Sequence, residues 1–86
     1  MPDVQKRIVG FILEKYPKAR KQGLTETSPL LDSGIIDSLG VLDLVGFVEA
    51  EFAITVVDEE LTPENFHSVE RLVAFVEAKR GRNGHH

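Results

Sequence analysis

Residues 33–40 read Ser-Gly-Ile-Ile-Asp-Ser-Leu-Gly, and this stretch marks the point where a loop turns into a helix. Asp37 precedes a run with helical period, and an aspartate in that place caps a helix by accepting a first-turn N–H. Beyond it, Val41, Leu44, Val45, Val48 and Phe52 fall within about 100° of one another on a helical wheel, the width of a core-facing stripe. The spacing predicts a helix from about Ser38 to Phe52. Its opposite side carries Leu39, Asp43, Gly46, Phe47 and Ala50, flanked by Glu49 and Glu51. Gly40 and Gly46 each weaken such a helix by up to about 1 kcal/mol relative to alanine. That cost points either to close approach of another surface or to tolerance by tertiary packing.

Upstream, Asp3 reads as an N-cap, and Val4, Ile8, Phe11 and Ile12 recur at helical spacing. Pro17 ends or bends this first helix, because the residue before a proline is pushed out of the α region. A long segment follows, "KARKQGLTETSPLLDSGII". It is rich in turn formers, yet it carries Leu24, Leu30, Leu31, Ile35 and Ile36. A loop of that length is unusual in a small domain unless it is functional or packs on itself. The supply of aliphatics predicts that it is pinned to the core. Downstream, "AITVV" has the propensity of a strand but no second strand to pair with, so it reads as an extended connection. Thr62 and Pro63 suit a one-turn helix ending near Phe66. Ser68 caps the last helix, with Glu70 in its first turn and Val69, Leu72, Val73 and Val76 as its apolar stripe. The expected fold is all-α: a small four-helix bundle of three main helices and one short helix, with a long ordered loop between the first and second.

The chain has 86 residues, no cysteine and 42% hydrophobic residues. A domain this small buries only about 60% of its unfolded surface, enough for one modest core and too little for a deep cleft. Residues 1–80 form the expected domain. Residues 81–86 are expected to be a flexible tail, with His85 and His86 read as the remnant of a purification tag. Without cysteine, disulfides, thiolate metal sites and cysteine catalysis are excluded. No apolar run approaches the roughly 20 residues of a membrane span, and the N-terminus lacks a signal-peptide pattern; a cytoplasmic protein is expected. The net charge of −4 conceals a segregation: residues 25–70 contain eleven acids and no Lys or Arg, while the flanking segments are basic. Such a field repels nucleic acid and favours basic protein surfaces.

Ser38 has no resident machinery. The hydrolase elbow G-x-S-x-G is absent, since Ile36 stands where its first glycine belongs and no strand precedes it. His67 is the sole histidine outside the tail and has no partner in view for a triad. Asp32 to Asp37 lacks acids at the third and fifth positions of a calcium loop. There is no phosphate-binding G-K-[ST]. No catalytic residue and no metal site are expected. As a plain helix serine, Ser38 needs no function, because Ser and Asp are favoured at such sites for backbone reasons. As a functional residue it is suited to modification by another enzyme. The helix N-terminus favours an attached phosphate, and the helix beyond offers a docking face.

"DSL" opening a helix, after an aliphatic-rich loop and before "LVGFVEAEF", resembles the acyl carrier protein family, which includes peptidyl and D-alanyl carriers. The likeness runs from the first helix to about Lys79 and takes in the "EEL" of residues 59–61 and the capped last helix. What it implies is a carrier, not an enzyme. Ser38 falls where the family's serine receives 4′-phosphopantetheine from coenzyme A through a phosphopantetheinyl transferase, and the cargo rides as a thioester on the arm. Asp37 would cap the helix and present an acid to the transferase. Leu39, Asp43, Gly46, Phe47 and Glu49 would be partner contacts. The expected partners are the transferase, an adenylating acyl or aminoacyl ligase or acyltransferase, and a downstream synthase or transferase. Nucleic acid, membrane insertion and self-association are not expected. Many members read "LG-x-DSL", whereas here Gly34 stands three residues before Asp37. That order, with a second helix less acidic than in fatty-acid carriers, is similar to free-standing carriers served by a dedicated ligase. The competing reading is an unmodified helical interaction module that binds through its acidic face.

Overall fold

Pro17 decides how the first third of the chain is organised. In the structure, a computed structural model that describes Pro2 to Asn83 with side chains from Val4 to Gly81, α1 spans Pro2–Lys15 and α2 spans Pro17–Gln22. Tyr16 between them is extended, with φ −119° and ψ 102°, as a residue before proline must be. The same proline then starts α2 at its first position, where a missing N–H costs nothing. Lys18 to Gln22 are good helix formers, and Gly23 closes the six-residue helix in the left-handed conformation at φ 70°. The beginning of the expected loop is therefore helical. α1 already runs from Pro2, so Asp3 lies inside its first turn and does not precede it as a cap.

α3 spans Ser38–Phe52 and α4 spans Val69–Asn83. α1, α3 and α4 are the three long helices and α2 the short one, an all-α bundle with no strand among the described residues. α1 packs most extensively on α4, and also meets α2 and α3. Val4, Ile8 and Ile12 of α1, Leu44, Val48 and Phe52 of α3, and Val69, Leu72, Phe75 and Val76 of α4 fill the core. Phe75 takes the buried position, while Val73 is half-buried. Ser68 caps α4 as its sequence position predicts: its Oγ accepts the Arg71 N–H at 3.3 Å.

The loop between α2 and α3 is pinned as expected. Leu30, Ile35 and Ile36 are all buried. Its backbone is also bonded across the molecule. Leu30 N–H donates to His67 O at 2.8 Å, and Glu70 N–H donates to Glu26 O at 3.0 Å. The first of these bonds satisfies the N–H of the buried Leu30, which would otherwise be costly to leave unpaired.

Residues 54–57 form neither helix nor strand after Ala53, which ends α3 in the left-handed conformation at φ 55°. A short 3-10 helix, Asp58–Glu60, comes next. The one-turn helix expected at Thr62–Phe66 is reduced to a turn. Phe66 N–H reaches Thr62 O at 3.3 Å and Asn65 N–H reaches Thr62 Oγ1 at 3.3 Å, but the pattern does not propagate. A lone turn fixes several dihedrals for one bond, so it stays a turn. Glu60 is the hub of this segment. Its carboxylate accepts from Lys79 Nζ at 2.9 and 3.0 Å and from Val57 N–H at 3.1 Å, and its carbonyl accepts from Asn65 Nδ2 at 2.9 Å.

Candidate functional site

Asp37 fixes the start of α3. It is extended at φ −92° and ψ 179°, and its Oδ1 accepts the Gly40 N–H at 2.6 Å. Ser38 is thereby the first helical residue, and it is exposed. The chain reaches this point through a tight turn. Gly34 N–H bonds Leu31 O at 3.1 Å, and Gly34 sits at φ 81°, in the left-handed region that disfavours any side chain. Ile35 and Ile36 then insert into the core directly before the cap.

Gly40 is a glycine for a different reason. A Cβ there would lie 3.1 Å from each of Asp37 Oδ1, Ile36 Cγ2 and Tyr16 Cε1. Its carbonyl accepts the Tyr16 hydroxyl at 2.6 Å. Burial pushes the Tyr16 phenol up to about 12, with the carboxylates of Asp43 and Asp37 adding to the effect.

Beside Ser38 lies an open pocket of about 200 Å³ lined by Leu31, Ser38, Val41, Leu61, Thr62, Pro63 and Phe66. Its walls are mostly apolar and come from the loop, from α3 and from the turn after the 3-10 helix. The pocket wall Leu61 is 40% exposed, and two further leucines of α3 are large exposed apolar side chains, Leu39 at 77% and Leu42 at 59%. His67 does not line this pocket. It lies in a neighbouring one with Pro63, Glu64 and Arg71. Among the described residues, no group of three or more His, Cys, Asp or Glu is placed to hold a metal ion.

The other residues singled out in the sequence have different surroundings. Asp43 is exposed, 3.8 Å from Lys15 Nζ in a solvent-facing pair. Gly46 is exposed, and a Cβ there would meet no atom within 4 Å. Phe47 is half-buried, stacked on Phe11 with ring centroids 4.2 Å apart and edge-on to Phe52 at 6.1 Å. Glu49 reaches across the end of α3, where its Oε2 accepts the Val56 N–H at 2.9 Å. Sequence reasoning missed Leu42, which sits on the flank of the wheel between the core stripe and its opposite side. It also missed the pocket walls Leu61 and Phe66 and the tyrosine behind Gly40. Those contacts span too much sequence for any local pattern to show.

No family model matches the chain. Individual proteins do. The probable acyl carrier protein PigG of a Serratia species is 30% identical over 74 residues, covering 86% of this chain and 85% of that protein. Aminoacyl carrier protein 1 of Bradyrhizobium diazoefficiens is 40% identical over 77 residues, covering 86% and 82%. This chain belongs to the acyl carrier protein family. An acyl carrier protein of Thermotoga maritima, 33% identical over 79 residues and covering 92% and 94%, places almost all of the chain within the family's span. No described helix of this family member is long and apolar enough to cross a membrane.

Proposed function

We propose that Ser38 is the attachment point of a 4′-phosphopantetheine arm and that the protein carries acyl or aminoacyl groups on it. The observation that carries the reading is Ser38 itself: an exposed hydroxyl on the first residue of a capped helix, at the rim of an apolar pocket. The arm supplies the thiol that carries cargo as a thioester, chemistry this cysteine-free chain does not contain. The surroundings suit it. The N-terminus of α3 favours the negative charge of a phosphodiester on Ser38 Oγ. Leu31, Leu61 and Pro63 offer an apolar bed for the chain beyond. In the transfer, Ser38 Oγ loses its proton and bonds to phosphorus, and 3′,5′-ADP leaves. At about 200 Å³ the pocket is below the ~300–1,000 Å³ of drug-sized ligand sites, so it suits a short cargo or part of the arm.

The partner face of the carrier is centred on Leu39, Leu42, Asp43 and Gly46, with Leu61 across the pocket. Phe47 and Glu49 act on it from behind, one by fixing α3 against α1 and the other by fixing the chain that leaves α3. Isolated exposed leucines beside acids, on a segment free of Lys and Arg, fit basic partner surfaces with apolar pockets. The partners are a phosphopantetheinyl transferase, a loading ligase or acyltransferase and a downstream synthase or transferase. Relatives named as acyl, aminoacyl and D-alanyl carriers support this class of partner.

The test is intact mass after incubation with coenzyme A and a broad-specificity transferase. The native chain should gain one arm and Ser38→Ala none. An unchanged mass for the folded native chain would overturn the assignment and leave the unmodified interaction module.

A further inference from the structure

We infer that Tyr16 is a positioning residue for Ser38, acting through Gly40 to hold the first turn of α3 in the form a modifying enzyme recognises. The inference rests on the assignment of Ser38 as the attachment site and adds a determinant that lies outside the docking face. The first turn of a helix has N–H groups with no intrahelical partner and tends to fray. Here both polar ends of one residue in that turn are tied down by side chains. Asp37 Oδ1 takes the Gly40 N–H at 2.6 Å, and the Tyr16 hydroxyl donates to the Gly40 carbonyl at 2.6 Å. Tyr16 is itself held firmly. It is the single residue between α1 and α2, its backbone is restricted by Pro17, the residue is only 9% exposed, and its ring packs edge-on to Phe11 at 6.1 Å. The ring lies so close to Gly40 that a Cβ there would stand 3.1 Å from Tyr16 Cε1. The clamp therefore needs a tyrosine at 16 and a glycine at 40, 24 residues apart. Tyr16 does not line the pocket beside Ser38, so its effect on modification runs through Gly40 and the geometry of the first turn.

If the turn frays, only a fraction of molecules present Ser38 correctly, and the apparent affinity of the enzyme falls by that fraction. The experiment measures transfer of 4′-phosphopantetheine from coenzyme A to the full chain, with the carrier as the varied substrate. Tyr16→Phe keeps the ring and removes the donor. Loss of a hydrogen bond of this kind predicts a KM raised about five- to tenfold with kcat little changed. Hydrogen exchange at the Gly40 and Val41 amides should accelerate while α4 amides keep their rates. Val4→Ala, a core change at the far end of α1, should lower stability and leave KM alone. Gly40→Ala should raise KM although alanine is the better helix former, and the double variant should be less than multiplicative because both break one clamp. A native KM and native first-turn exchange in Tyr16→Phe would overturn the inference, as would an equal rise in KM in Val4→Ala. A native chain that accepts no arm would instead overturn the Ser38 assignment, which the mass measurement detects separately.

Discussion

The rings of Phe11 and Phe47 lie parallel, 4.2 Å between centroids, across the seam where α1 meets α3. This pair packs α3 against α1, and Phe47 also meets the buried Phe52 edge-on at 6.1 Å. Phe47→Ala should cost about 2 kcal/mol, less than the 3–5 typical of a fully buried phenylalanine because the ring is half-buried. Urea unfolding with an unchanged m value measures it. A double-mutant cycle with Phe11→Ala should give a coupling of about 1 kcal/mol.

On the proposed partner face, Leu42 and Gly46 are the positions at which docking can be separated from folding. Leu42 is 59% exposed, so Leu42→Ala should change stability by no more than about 0.5 kcal/mol. It should nonetheless raise the KM of partner enzymes for the carrier severalfold. At Gly46 a methyl group meets nothing inside the molecule, so Gly46→Ala should stabilise the fold by up to about 1 kcal/mol. If a partner approaches this glycine closely, the same variant binds that partner more weakly. Thermal unfolding and steady-state kinetics on the two variants read both effects.

Tyr16 is the sole tyrosine in a chain without tryptophan, so its ionisation can be followed directly by ultraviolet absorbance. In the folded state its phenol is raised from 10.0 to about 12 by burial first and by Asp43 and Asp37 second. A raised folded value means that the neutral phenol is favoured by folding. Its stabilisation is complete below pH 10 and is lost as pH climbs from about 10 to about 12. The native protein should titrate late, and a urea-unfolded sample near the ordinary value. Tyr16→Phe should show a shallower fall in stability across that window.

Lys79 and Glu60 form an ion pair with side chains only 14% and 20% exposed, joining α4 to the 3-10 helix. Lys79→Met keeps the aliphatic stem and removes the charge. It should cost about 1–2 kcal/mol, between the values for exposed and buried pairs. The effect should be local. Amides of residues 57–62, which carry the Leu61 wall of the pocket, should exchange faster than those of α1 and α3.

How far the sequence could be read depended on the range of the interactions involved. The limits of α3 and its cap were legible because Asp37, the apolar stripe and the end at Phe52 all lie within one local pattern. Burial of Leu30, Ile35 and Ile36 was legible from their placement in a long polar segment. α2 is hard to read from the sequence because Pro17 carries two signals, an end for α1 and a start for a new helix, and the first masks the second. At Thr62 and Pro63 a start signal was present without enough following helix to propagate. The pairing of Tyr16 with Gly40 was out of reach, since nothing local to either residue points to the other. The same holds for the pocket, whose walls come from segments that only tertiary folding brings together.

The bonds from Leu30 to His67 and from Glu70 to Glu26 also impose an order in time. The segment that presents Ser38 takes its bonded course only when residues 67–70 are there to receive it. During synthesis, residues 33–40 leave the ribosome well before that happens. Until the start of α4 has emerged and docked, the serine sits on an unfinished support. On the proposed assignment of Ser38, a transferase that recognises the folded surface would accept only a chain in which this support is complete.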